Sequence, residues 1–357
     1  MIAKIIAKSL FPLLRVAYVG IYPKGRVCDL AVKIYQNRKL IKEERREFEM
    51  PRGAPSQAMV EYILRLEKRY TYLYVATSLA SINQGVIPST DTDFFRKMQI
   101  ETENIVSIRT GERSTIYGSI FDIDEIREKY EEVYGIDYIF PTESLIDFSR
   151  RNINLNLRED EAFAILLYDK NSATLAIYQD DIFTYSSHII FDEDEDASEN
   201  LPRNDISDIF ESELGDDILE SAEPIMTASA TDDFGSIEDL NDFIASDDSS
   251  NFDNSAANEL AVIEDTLPEM DLADDARQSN IRRDMLLFSF LKNSFSDFYK
   301  NENFYSDFVE KIAILDTENF AKSVAEFVKK ELAIEPIILP IEIPTMLCDL
   351  AYEEAAL

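Results

Sequence analysis

VAYVGIYPKGRVCDLAVKIY, residues 16–35, is the stretch whose reading decides the fold. An apolar run at 15–21 meets the turn Tyr22-Pro-Lys-Gly25, and a β-branched, apolar run at 27–35 follows at once. Gln36-Asn-Arg38 is a second turn, and residues 39–48 read as a third strand. Short turns between consecutive strands make an antiparallel meander. Residues 56–69 then change to helical spacing, with Met59, Val60, Ile63, Leu64 and Leu66 forming a stripe flanked by charge. Tyr72–Leu79 follows as a buried strand, so the order is βββαβ.

Working outward, the same pattern recurs. Residues 162–168, 172–178 and 182–191 read as strands, separated by the turns Asp169-Lys-Asn171 and Gln179-Asp-Asp181. The two meanders share an order of elements and little identity, an internal repeat of pattern. Between them lies a further α/β passage from about residue 91. It has a strand at 114–121 and a helix at 122–134, capped by Asp122 or Asp124 and ended by Gly135. A strand at 136–140 and a helix at 142–153, capped by Thr142 with Glu143 in its first turn, complete it. Near the C-terminus, Ile281, Met285, Phe288, Leu291, Phe295 and Phe298 recur at helical spacing as far as Lys300. A strand at 311–315, a helix at 318–331, a strand at 334–339 and a helix at 345–357 close the chain.

Charge divides this body from one segment. The 357 residues carry 70 acidic and 35 basic side chains, a formal net charge of −35. Between Phe191 and Asn280 there are 29 acidic residues and only two basic ones, Arg203 and Arg277. Residues 192–279 therefore read as an acidic, disordered insert, too poor in apolar surface to offset its ordering entropy. Its mixed acidic and apolar clumps (206–219, 234–244 and 260–272) are either parts of a self-repelling loop or segments that fold on a basic partner. This balance argues against nucleic acid, whose backbone calls for clustered Lys and Arg.

The remaining sequence signals narrow the chemistry. Cys28 and Cys348 are far apart and read as two reduced, buried thiols of a cytoplasmic protein. A single histidine, His188, excludes a multi-histidine zinc site. No apolar run reaches the length of about 18–20 residues that spans a bilayer. In the N-terminal segment 1–14, residues 2–11 read as a short amphipathic helix, either packed on the body or lying on a membrane surface. Lys4 and Lys8 interrupt the apolar stretch that a signal peptide requires.

Four segments carry a family resemblance. They are VAYVGIYPKGRVCDLAVKIY, YLYVATSLASINQGVIPS, SIFDIDEIREKYEEVYGIDYIFPTESLI and AILLYDKNSATLAIYQDDIFTYSSHIIF. In pattern and order they resemble the FtsA/PilM branch of the actin-like (ASKHA) superfamily, and within it the PilM family, a relative of the GspL cytoplasmic domain. The resemblance implies an α/β, two-lobed actin-like (ribonuclease H-like) fold. Lobe 1 would span 15–157 with an extra small α/β module at about 91–140. Lobe 2 would combine 158–191 and 280–357 around the insert.

The resemblance also raises the question of Mg·ATP. Actin-like ATPases hold phosphate on the meander turns, where glycines allow close approach and an Asp organises the hydrated metal. At the first turn this chain has Tyr22 and Pro23 where an acidic residue is expected, leaving Lys24 and Gly25 as vestigial contacts. The second keeps Asp169 but has Asn171 in place of glycine, and Asp316-Thr-Glu-Asn319 stands where consecutive glycines bind adenine. The expectation is a pseudo-ATPase with no catalytic residues, cofactor or metal. The alternative is an actin-like ATPase or filament former with ATP and magnesium in an altered site. The resemblance further implies a scaffold of an envelope-spanning machine: a type IV pilus, type II secretion, DNA uptake, or a flagellar motor with similar parts. It would lie at the inner face of the inner membrane and bind the N-terminal peptide of a bitopic PilN-like protein. Tyr117, Ile120, Phe121 and Ile139 are the candidate contacts, although core packing of the extra module accounts better for most of them. Self-association into a ring and a second, basic partner for the insert complete the expectations. The chain ends at Leu357 without a membrane helix, which favours a separate PilM-like subunit over GspL.

Overall fold

The computed structural model describes residues 14–131, 135–152, 162–180, 182–191, 271–301, 304, 308–317 and 321–356. The helix expected at 2–11 and nearly all of the acidic insert lie outside the described residues. The chain divides into a body, 1–193 with 272–357, and a second unit, 194–271. All the described strands belong to the body.

The first half opens with β1 (Val16–Lys24), β2 (Val27–Gln36), β3 (Lys39–Glu49), α1 (Gln57–Arg69) and β4 (Tyr72–Leu79). The small module follows as β5 (Gln84–Ile87), α2 (Thr92–Lys97), β6 (Ile105–Thr110), β7 (Ser114–Ser119) and α3 (Ile120–Lys129). Next come β8 (Tyr138–Pro141) and α4 (Thr142–Asn152). The second half has β9 (Phe163–Tyr168), β10 (Ser172–Gln179), β11 (Ile182–Ile190), α5 (Asp271–Lys300), β12 (Lys311–Asp316), α6 (Ala321–Glu331), β13 (Glu335–Pro340) and α7 (Ile343–Ala356).

Two five-stranded mixed sheets have equivalent orders, β3-β2-β1-β4-β8 and β11-β10-β9-β12-β13. In each, a meander pairs antiparallel, and two further strands add parallel to its first strand. This is the two-lobed actin-like fold expected from the repeated pattern. The central strands are buried on both faces because side chains alternate between two layers. Ala17, Val19 and Ile21 of β1 pack with Met59, Ile63 and Leu66 of α1. Val16, Tyr18 and Tyr22 face the inter-lobe core instead, with Phe163, Ile165 and Leu167 of β9. Helices α4 and α7 contribute Leu145, Ile146, Met346 and Leu347 to that core.

The last helix is tied to the first sheet. Lys33 Nζ on β2 meets both Asp349 oxygens at 2.6 and 2.7 Å, and the Tyr35 hydroxyl donates to Asp349 at 3.3 Å. Gly20 is where α7 crosses β1, and a Cβ there would collide with the Pro344 carbonyl. Cys28 and Cys348 are buried free thiols, as expected, and burial pushes both up to about 12.

Several boundaries differ from the sequence reading. Strand β1 continues through Tyr22 and Pro23, so the turn is Gly25-Arg26, with Gly25 at φ 64°. Glycine in the first central position is the signature of a II′ hairpin, and proline is tolerated beyond Ile21, where β4 no longer pairs. The expected strand 114–121 ends at Ser119, whose hydroxyl accepts the Asp122 amide and starts α3. Asp122 and Asp124 are therefore not the cap, and Ile120 and Phe121 are helical. Thr142 does not cap α4 with its hydroxyl, which donates to the Leu79 carbonyl; its amide donates to Gln84 Oε1. The small three-stranded sheet, β5-β7-β6, begins at Gln84, ahead of residue 91, and β8 joins the main sheet. Helix α5 begins at Asp271, before Ile281; its first turns lack the apolar repeat that would mark them as helix in the sequence. Among the described residues, no helix is long and apolar enough to cross a membrane.

Candidate functional site

The site lies where the meander tips of the two lobes meet. Alternation along β1 turns Tyr22 towards the second lobe, and the end of β9 delivers Asp169 opposite it. The Tyr22 hydroxyl donates to Asp169 Oδ2 at 2.5 Å. Thr317, just after β12, donates from Oγ1 to Asp169 Oδ1 at 2.8 Å. Asp169 is only 2% exposed. One buried carboxylate thus joins all three turns that a nucleotide would be expected to touch. Hydrogen bonds to an ionised acceptor are the stronger kind, and here both oxygens receive one.

The neighbouring groups are committed as well. Asp316 Oδ2 accepts the Ala321 amide at 3.1 Å and so caps α6. Lys24 pairs with Asp29 at 2.9 Å. Asn171 Oδ1 is buried without a hydrogen-bond partner, while its backbone carbonyl accepts the Phe191 amide. Gly25 shapes the hairpin tip. Of the four turn residues nominated from sequence, Asp169 therefore enters the network and Lys24 borders the cleft.

Beside this closure is a cavity of about 420 Å³ whose walls include Tyr22, Lys24, Arg45, Glu342 and Thr317. Lys24 and Arg45, which border it, both meet opposite charges. Arg45 bonds to Glu342 and, at 3.0 Å, to Glu43, and the Thr345 hydroxyl donates to Glu342 at 3.2 Å. Among the described residues, no group of His, Cys, Asp and Glu is arranged to hold a metal ion. The roles of Tyr22 and Thr317 were not read from sequence. Their only signal was that Tyr22 replaces an expected acid and Thr317 an expected glycine.

The candidate partner contacts are dispersed over lobe 1. Tyr117, half-buried on β7, packs against Phe95 with ring centroids 6.4 Å apart, and burial pushes its phenol up to about 12. Ile120 and Ile139 are half-buried, on α3 and β8. Phe121 is 69% exposed. Asp122 accepts hydrogen bonds from Ser81 and, at 3.2 Å, from Asn83, which brings the β4–β5 loop and its 67% exposed Ile82 beside the first turn of α3. Val106 and Ile108 are also exposed, on β6 at the edge of the small sheet.

Comparison with solved structures finds matches over most of the chain at low identity, with TM-scores below 0.5. A Bacteroides thetaiotaomicron protein with an actin-like ATPase fold and unknown function is 9% identical, with a TM-score of 0.42, over 95% of this chain and 97% of that one. A PilM–PilN type IV pilus biogenesis complex is 12% identical, with a TM-score of 0.46, over 94% and 95%. Ethanolamine utilization protein EutJ from Carboxydothermus hydrogenoformans is 8% identical, with a TM-score of 0.38, over 93% and 89%. None of the curated proteins matches the chain. Residues 14–146 match the family model described as Domain of unknown function (DUF8569). Residues 165–356, more than half of the chain, match Domain of unknown function (DUF8341), and the chain belongs to that family.

Proposed function

We propose that this protein is a PilM-like assembly scaffold, a docking body with a degenerate nucleotide site rather than an ATPase. The observation that carries the reading is the Tyr22–Asp169–Thr317 closure. The carboxylate best placed to organise a hydrated metal is instead buried and bonded on both oxygens, one of them to a phenol from the opposite lobe. Phosphate and magnesium would have to displace that phenol and rehydrate the carboxylate. A body without turnover keeps its surface as its function. The docked segment is the cytoplasmic N-terminal peptide of a bitopic, PilN-like inner-membrane protein, which puts the scaffold at the inner face of that membrane. Phe121 and Ile82, exposed beside the small sheet, supply an apolar contact, and the β6 edge offers unpaired backbone groups to an extended peptide.

The second reading, a nucleotide binder with an altered site, draws on the 420 Å³ cavity and its Lys24 and Arg45. Calorimetry on the full chain separates the two. Titration with Mg·ATP should give no binding heat, and a peptide copied from the N-terminus of a PilN-like protein encoded beside it should bind. Phe121→Ala should weaken that peptide by about tenfold, the equivalent of ~1.4 kcal/mol. Micromolar affinity for Mg·ATP, or peptide binding indifferent to Phe121, would overturn the proposal.

A further inference from the structure

Glu143, in the first turn of α4, has no exposed surface, and neither of its carboxyl oxygens has a hydrogen-bond partner. It lies where the small sheet meets the second lobe. That seam is held by side chains rather than by a backbone ladder, the Val86 amide of β5 donating to Ser186 Oγ of β11 at 3.0 Å. Ser186 stands beside the Glu143 carboxyl. From β7 the Tyr117 phenol faces the same cluster, and from β10 the buried Tyr178 phenol. The charged groups nearby are on α4 itself: Asp147, bonded to Thr110 at 2.7 Å, and Arg150, whose guanidinium lies 5.0 Å over the Tyr178 ring. His188, two residues along β11, bonds Thr174 at 2.6 Å and stays neutral because burial pushes its imidazole down to about 4.

We propose that Glu143 is a proton-operated catch on the seam between the small sheet and the second lobe: as the neutral acid it lets β5 lie against β11, and on ionising it drives the seam open. Full enclosure disfavours the ionised carboxylate, and the nearby Ser186 hydroxyl and the Glu143 amide offset that only in part. Burial accordingly pushes the Glu143 carboxyl up from 4.5 to about 7. Once the seam opens and water reaches the group, it ionises at its ordinary value. Between pH 4.5 and about 7 the closed form therefore holds a proton that the open form releases. Closure weakens as pH rises through this window and levels off above it. The proposal does not depend on what the protein docks or on the state of the nucleotide cleft.

Amide hydrogen exchange on the full chain tests it, read as protection factors so that the intrinsic pH dependence cancels. Protection at Val86 should fall about tenfold between pH 6 and pH 8, from linkage between those two values, while Ile63 in α1 stays unchanged. Glu143→Gln should flatten the Val86 profile and raise its protection at pH 8. Ser186→Ala, which keeps Glu143, should retain the tenfold fall from a lower starting level and serves if the first variant does not fold. A flat wild-type profile, a fall that persists in E143Q, or a fall abolished by S186A would overturn the proposal.

Discussion

At the residue scale, Tyr22 decides how the cleft is read. Its hydroxyl reaches a carboxylate 147 residues away, and that reach defines its role. In sequence it is a turn residue that fails to be an acid, because the Asp169 that gives it meaning is brought close only by packing of the two sheets. Tyr22→Phe keeps the ring in the inter-lobe core and removes one charge-assisted hydrogen bond from a buried acceptor. Urea unfolding should show a loss of about 1.5–3 kcal/mol. No loss would mean that the bond adds nothing to holding the lobes together. Glu143 has the same history: sequence placed it in the first turn of a helix, where an acid is ordinarily solvated and favoured by the helix dipole. Its complete enclosure comes from the small sheet and the second lobe.

At the element scale, most of the chain was legible. Strands β2, β3, β4, β9, β10 and β12 and helix α1 fall within a residue or two of the reading, because period-2 and period-3.6 patterns register directly in apolar spacing. Asn37 and Arg38, at φ 53° and 60°, form the turn between β2 and β3 within the expected stretch 36–38, while Gln36 still belongs to β2. Misreadings cluster where a polar residue makes a tertiary bond, as at Ser119 and Thr142, and at short strands such as β5 whose pairing is non-local. Gly20 belongs to this scale because it is the contact of one element with another. Gly20→Ala drives a methyl group into the Pro344 carbonyl and should displace α7, costing about 3 kcal/mol or more. Gly111→Ala is the comparison: it has open space but a φ of 61°, so only backbone strain of about 1–2 kcal/mol applies. Urea midpoints of the two variants should rank in that order, and an equal loss would remove the close-packing account of α7.

At the scale of the whole molecule, the body and the acidic insert are separable questions. Each lobe has its own layered core, and the inter-lobe core is built from body residues. Replacing residues 195–278 with a short Gly/Ser linker should therefore leave a cooperatively folded protein, with the unfolding midpoint little changed and peptide docking intact. What should disappear is one interaction, with a basic partner recognised by the acidic and apolar clumps. A comparison of captured partners before and after deletion checks this, and an unchanged set would reduce the insert to a spacer. By itself the sequence determined the alternation of strands and helices, the repeat of the meander, the fold class and the position of the charged insert. All of these depend on local periodicity and composition, which neighbouring residues express without help from the rest of the chain. Only the tertiary structure decided that three distant turns close on one carboxylate and that a glutamate in a helix's first turn is sealed beneath a seam. Such contacts depend on distances between segments far apart in the chain, for which a linear pattern contains no term.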